Sequence, residues 1–372
     1  QINIYQNLLS KEIIRCSIKS NMDWNNLKTA LLLQGIKIDI SAMIALTECG
    51  GIQEGTFDAI DIRFSNDLIV NCPLKIPFID FSPFTLKYIE KNFYLFYLEK
   101  NISIVYVDKK DYIPNVKTHS GLLYSKMVQR NNMRIRIRHN SICLFKQNGK
   151  GCHFCHAKNE EYYNFDLDDI KESFLFYLKN FEFKEIMIGG ASNDRIYEPT
   201  LIKDILKIIR IHTDKPIYIM SLPPQDLNDI QEYKKLGANE IAFNLEIYDE
   251  TISKEIVPGK GMISRNEYLK ALQKAVEVFG NNGQVRSMLI VGLEPLESFK
   301  KGIEALCKIG VSPMISPFRP MQNTKLANYV PPNFEECKQY INTAIEITKK
   351  YNIKLGPPNI YNQNNTFNPI DI

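Results

Sequence analysis

The sequence has no apolar run approaching the roughly 20 residues that a membrane-spanning helix needs. Its first residues lack the basic-then-apolar pattern of a secretory signal. Together these set the expectation of a cytoplasmic protein with no membrane partner. An excess of one charge is missing too. The net charge is +4, from 46 basic and 42 acidic residues spread along the chain, which argues against a nucleic-acid partner. The eight cysteines follow no secreted-scaffold spacing, which suits a reducing compartment. The one Gly-Lys-Gly stretch, in Pro258-Gly259-Lys260-Gly261, has no Walker pattern around it and does not define a phosphate site. What remains is a chain of 372 residues with 44% hydrophobic content, enough for one large domain or a barrel plus a smaller one.

The most informative stretch runs from Cys143 to Cys155. It holds Cys143, Cys152 and Cys155 together with Lys146, Gly149, Lys150 and Gly151. A loop of that composition is expected to be flexible and exposed, a poor place to bury small apolar thiols. Thiolates are soft ligands for zinc, copper(I) or iron–sulfur clusters. Three without a fourth fit a [4Fe–4S] cluster with one iron left open. His153 or His156 could complete a zinc site instead, since structural zinc takes four ligands.

The rest of the chain divides around this loop. Residues 1–128 read as an N-terminal α+β domain of unknown role. Leu8–Ile14 and Trp24–Gln34 have helical spacing, Gly50-Gly51 interrupts, and Phe57–Phe64 and Asp67–Ile76 alternate as strands do. Pro73 and Pro77 put the second strand near an edge. Tyr94–Tyr97 and Ile102–Val107 are further strands. Cys16, Cys49 and Cys72 fall here, read as structural thiols with an auxiliary cluster as the alternative. Met133–His139 alternates Arg with Ile, which predicts a strand with one solvated face.

From residue 129 to 325 strands and helices alternate regularly. Strands are expected at 134–141, 185–188, 217–222, 240–245, 284–291 and 312–317. Helices are expected at 167–180, 199–211, 225–236, 265–279, 296–309 and, beyond the last strand, 334–351. Residues 326–372 then close the barrel with that helix and a tail. Such alternation demands parallel strands. The fold class is α/β, a partial (β/α)6 TIM-type barrel. Ligands of such folds bind at the C-terminal strand ends.

A cysteine loop after the first barrel strand resembles that of the radical S-adenosylmethionine (SAM) superfamily, over roughly residues 130–325. The family spacing is three residues and then two; here it is eight and then two. Phe154 stands at the family's aromatic position. Gly189-Gly190-Ala191-Ser192 is similar to the Gly-Gly-Glu motif that binds the SAM amino group, with Ala191 in place of Glu. Asn244-Leu245-Glu246 is similar to the Asn-Leu-Asp segment of the biotin synthase-like subgroup, and strand alternation would aim Asn244 and Glu246 into the mouth. Ile290 and Gly292 match the Gly-x-Ile-x-Gly-x-x-Glu segment that contacts adenine, although Glu294 comes one residue early. Arg286, a charge in a buried strand, is expected to point into the mouth toward SAM, Glu246 or the substrate. Arg319, in a segment resembling the end of the sixth strand, is a candidate grip for a substrate carboxylate or phosphate.

The resemblance implies the chemistry. A cluster on Cys143, Cys152 and Cys155 would reduce SAM, and the 5′-deoxyadenosyl radical would take a hydrogen from a small-molecule substrate. A flavodoxin or ferredoxin would supply the electron. The cobalamin signature Asp-x-His-x-x-Gly is missing, and Cys307 and Cys337 fall on helices as structural residues, so one cluster is expected. Rearrangement, bond cleavage and C–C bond formation remain open. So do methyl or other group transfer at the same cluster and a zinc-binding barrel.

Overall fold

The computed structural model describes residues 23–48, 59–107, 116–131, 133–157, 165–192, 194–357 and 364–368. The helix expected at Leu8–Ile14, Gly50-Gly51, Cys16 and Cys49 lie outside them. Two sheets organise the described residues.

The first sheet is N-terminal. Helix α1 (Trp24–Gln34) starts where the Asp23 side chain caps the Asn26 N–H, and it ends at Gly35. Strand β1 (Lys37–Ile38) and helix α2 (Ile40–Glu48) follow. Strands β2 (Ala59–Arg63), β3 (Ile69–Pro73), β4 (Phe84–Ile89), β5 (Asn92–Tyr97) and β6 (Lys100–Val107) complete a six-stranded sheet in the order β1-β4-β5-β6-β2-β3. The two prolines do mark an edge, because β3 is outermost. Cys72 is buried in it as a structural thiol.

The second sheet is the barrel. A short helix α3 (Tyr124–Met127) leads into β7 (Val128–Asn131), which pairs antiparallel with β8 (Arg134–Ile137). Parallel strands then continue as β9 (Glu185–Gly189), β10 (Ile217–Ser221), β11 (Glu240–Phe243), β12 (Val285–Val291) and β13 (Ser312–Pro317). The order β13-β12-β11-β10-β9-β8-β7 follows the chain without a swap, and the sheet curls into a partial barrel. Between the strands lie α4 (Leu144–Gln147), α5 (Leu167–Asn180), α6 (Tyr197–Arg210), α7 (Asn228–Lys235), α8 (Glu250–Ile256), α9 (Arg265–Phe279) and α10 (Leu296–Lys308). Helix α11 (Phe334–Tyr351) follows β13. Local chemistry sets the long helix starts: Asp166 caps α5, and capping boxes Ser264/Glu267 and Asn333/Glu336 start α9 and α11.

Strand alternation sorts the side chains. Ile135, Ile137, Ile186 and Ile188 pack into the main core under the helices. The opposite face lines the lumen. Met187, Tyr218 and Ala242 form a separate apolar cluster there, with Met220 against it. Arg134 is in register with Glu185 and Arg136 with Met187, so both arginines face inward. The arginine face of this strand was expected to be solvated; it lines the lumen instead, because the sheet curls around it.

The floor of the lumen is charged. Arg134 pairs with Glu185, Arg286 Nη1 lies 2.7 Å from Glu240 Oε2, and the Arg286 guanidinium sits 4.3 Å from the Tyr218 ring centroid. These groups stand at the N-terminal strand ends. Among the described residues no helix is long and apolar enough to cross a membrane.

Candidate active site at the barrel mouth

Beyond β8 the chain passes through buried His139, Asn140 and Ser141 into the cysteine loop. The loop is clamped rather than free. The Leu144 N–H donates to the Ser192 carbonyl at 3.0 Å, and the His153 N–H donates to the Ile256 carbonyl at 2.8 Å. The Gly259 N–H donates to the Lys150 carbonyl at 2.9 Å. A side chain at Gly259 would run into the Phe145 ring, so only glycine lets these two loops meet. These contacts tie the loop down at Leu144, Lys150 and His153, while Gln147 to Lys150 are exposed as expected.

Cys143, Cys152 and Cys155 are each half-buried. Burial pushes the Cys152 thiol up to about 12, and Cys155 and Cys143 are close enough to add to the effect. The three thiols are not drawn onto a single point, however. A zinc ion about 2.3 Å from each sulfur would hold them within about 4 Å of one another. Among the described residues only His119, Asp169 and Glu172 bring three ligand atoms within 4.8 Å. His153 Nε2 faces Lys325 Nζ at 3.2 Å instead of the thiols.

An apolar wall joins the loop to the strand ends. Cys152 and Phe154 pack against a cluster that includes Ile247, Ile290, Leu293 and Phe318. Phe154 and Ile290, two residues singled out in the sequence, therefore meet. Gly292 follows β12 with φ +96°.

Glu246 stands beside this wall in a left-handed conformation, φ +67°. Strand β11 ends at Phe243, so alternation does not place Glu246, contrary to expectation. Its backbone is held to β12: its N–H donates to the Met288 carbonyl at 2.7 Å, and its carbonyl accepts from Ile290 at 2.9 Å. A non-glycine residue held in that region is strained, and such strain collects at ligand sites. Asn244 Oδ1 accepts from the Met288 N–H at 3.2 Å.

Lys260 completes the arrangement. Its Nζ donates to Glu246 Oε1 at 2.5 Å. Burial opposes its charge, but the Glu246 carboxylate outweighs that and holds the pKa above the ordinary lysine range. Tyr268 is buried nearby, and its hydroxyl has no hydrogen-bond partner among the described residues. Sequence reading undervalued Lys260; the signal was its place in a glycine loop at the ligand end of the barrel.

On the other side of the cysteine loop, Gly189 ends β9 and Gly190 turns the chain. A Cβ at Gly190 would lie 2.7 Å from Asn140 Oδ1 and 3.0 Å from His139 Cε1. Asn140 Oδ1 is buried and accepts no hydrogen bond among the described residues. An unused acceptor facing a side-chain-free turn is a cradle for a donor such as an amino group. Ala191 and Ser192 lie half-buried beside it.

Two expected residues go elsewhere. Arg286 is on the inner face but is the second residue of β12, so it reaches Glu240 and the Gly283 carbonyl on the floor rather than the mouth. Arg319 turns toward the N-terminal sheet, donating to Asn71 Oδ1 at 2.9 Å and to the Asn71 carbonyl at 3.1 Å. Both are corrections, and in both a protein acceptor takes part of the guanidinium: Glu240 and the Gly283 carbonyl at Arg286 Nη1, Asn71 at Arg319 Nη1 and Nη2. Glu294 is likewise structural. Its carboxylate accepts the Tyr248 and Asp249 N–H groups at 3.0 and 2.9 Å, ahead of α8.

The sequence model described as "Radical SAM superfamily" matches residues 100–311 of this chain. A bacteriochlorophyllide c C-7(1)-hydroxylase from Chlorobaculum limnaeum is 28% identical over 137 residues. The match covers 37% of this chain and 34% of that protein, so this chain aligns with about a third of its relative's length. Among solved structures, methylornithine synthase is similar at 18% identity and a TM-score of 0.45, covering 62% of this chain and 71% of that one. A radical SAM methyltransferase from Sphaerobacter thermophilus is similar at 11% identity and a TM-score of 0.47, over 65% and 72% of the two chains.

Proposed function

The chain belongs to the radical SAM superfamily, and from that premise we propose that it activates a C–H bond of a small-molecule substrate. The family's cofactors are a [4Fe–4S] cluster and SAM. When bound and reduced they supply one electron and a 5′-deoxyadenosyl radical, which takes a hydrogen atom from the substrate.

The residues of this chain divide the remaining work. Cys143, Cys152 and Cys155 would hold the cluster, leaving one iron for SAM. Phe154 and Ile290 belong to the apolar wall suited to adenine, and Gly292 follows Ile290 at the end of β12. Gly189, Gly190, Ala191, Ser192 and Asn140 Oδ1 offer the cradle for the amino group. Asn244 and Glu246 stand where a ribose diol would be held, and Lys260 fixes the Glu246 carboxylate. This pairing supports a place near the biotin synthase-like subgroup. With SAM and substrate bound, the clamped loop and apolar wall would help keep water from a reactive radical. The relative named as a C-7(1)-hydroxylase supports C–H functionalisation of a small molecule. A cytoplasmic setting with flavodoxin or ferredoxin as donor fits this reading.

The observation that carries it is the packing of Cys152 and Phe154 against Ile290 and Leu293, which brings the cysteine loop and the end of β12 to one place. The test is anaerobic: load the chain with iron and sulfide, add dithionite and SAM, and assay 5′-deoxyadenosine with and without Cys152→Ala. The expected result is formation by the wild type and loss in the variant. Methylthioadenosine or a methylated product would redirect the chemistry to group transfer. Bound zinc with SAM left intact would overturn the reading.

A further inference from the structure

Three arginines enter the barrel lumen from the strands described above. Arg134 pairs with Glu185 and Arg286 with Glu240. Arg136, one step nearer the mouth than Arg134, has no such carboxylate among the described residues. Its Nε is buried and makes no hydrogen bond. Burial, and after it the like charges of Arg138 and Arg134, lower its pKa to about 10. Its register partner Met187 belongs to the apolar cluster of the lumen.

A cation in such a place costs free energy unless an anion accompanies it. The guanidinium fork suits a planar or tetrahedral oxyanion, gripped through two N–H groups at once. The position also lies on the substrate side, deeper in the barrel than the cysteine loop.

Resting on the proposed function, we propose that Arg136 receives an anionic group of the substrate, a carboxylate or a phosphate, inside the barrel. The reacting carbon would then lie toward the mouth, between this anchor and the cysteine loop. The floor arginines are already neutralised, so the anchor acts at one depth only and sets how far the substrate enters.

The test uses the full iron-loaded chain and two variants, Arg136→Met and Arg136→Gln, checked for folding by circular dichroism. Inorganic phosphate and acetate are titrated separately at fixed ionic strength by calorimetry. Saturable binding of one of them to the wild type is expected, weakened about tenfold or more in both variants. Preference for phosphate points to a phosphate ester, and preference for acetate to a carboxylate. Absence of saturable binding to the wild type, or equal affinity in all three proteins, would overturn the proposal. The titration needs no SAM turnover, so its failure is distinct from failure of the 5′-deoxyadenosine assay on the wild type.

Discussion

Lys260 Nζ lies 2.5 Å from Glu246 Oε1, closing an ion pair across the barrel mouth. The two side chains are only 16% and 12% exposed, so each neutralises a charge that water barely reaches. Lys260→Met leaves the carboxylate uncompensated. A loss of about 3 kcal/mol is expected in urea unfolding, the low end for breaking a buried pair. Adding Glu246→Gln should recover part of that loss. Simple additivity of the two substitutions would show that the pair is not coupled.

Gly259 faces the Phe145 ring. Gly259→Ala must push the cysteine loop away from α8, at a cost of about 1–3 kcal/mol for overpacking. Because the displaced loop carries the thiols, the iron bound per chain should fall while far-UV circular dichroism stays the same. Full iron content in the alanine variant would mean that the loop yields without moving the cysteines.

Arg286 belongs to the floor, and its replacement should behave accordingly. Arg286→Ala strands the Glu240 carboxylate, which is 11% exposed. A loss of about 3–5 kcal/mol is expected, with SAM affinity by equilibrium dialysis unchanged in the protein that remains folded. A selective loss of SAM binding at normal stability would return Arg286 to the mouth.

Lys28 is 1% exposed and donates to the Asn368 carbonyl at 3.1 Å. Burial lowers its pKa from 10.5 to about 7. Between those values the unfolded chain binds more protons than the folded one, so this group makes stability rise with pH across that window. Below it the buried charge is present in full. Lys28→Met should flatten the slope and raise stability near pH 7 by up to a few kcal/mol. Parallel pH profiles for the two proteins would refute this.

The barrel was legible because each unit repeats the same local signals. Asp166, Ser264 and Asn333 mark helix starts, and the glycine and polar residues after each strand mark the ligand end. The cysteine loop, Phe154 and Ile290 were legible for the same reason, as short motifs at predictable strand ends. Glu246 was located by the wrong argument: a strand period was extended three residues past the end of β11. Arg286 and Arg319 were misread because a charged residue in an apolar strand announces a partner without saying which one. Glu240 and Asn71 are distant in sequence, and only the curl of the sheet and the approach of β3 bring them in. Helix α8, which begins four residues after the strained Glu246, has too few apolar residues to show a period.

Residues 364–368 touch both sheets. The Asn364 carbonyl accepts from Asn71 at 2.8 Å, Asn368 Oδ1 accepts from the Ile315 N–H at 3.1 Å, and the Lys28–Asn368 contact spans 340 residues. A stitch of that separation forms late, since the loop it closes is nearly the whole chain. Its kinetic counterpart is a slow final step in which the six-stranded sheet locks onto β13. Once the stitch has formed, the two sheets are expected to melt as one, since a single apolar core also runs through both.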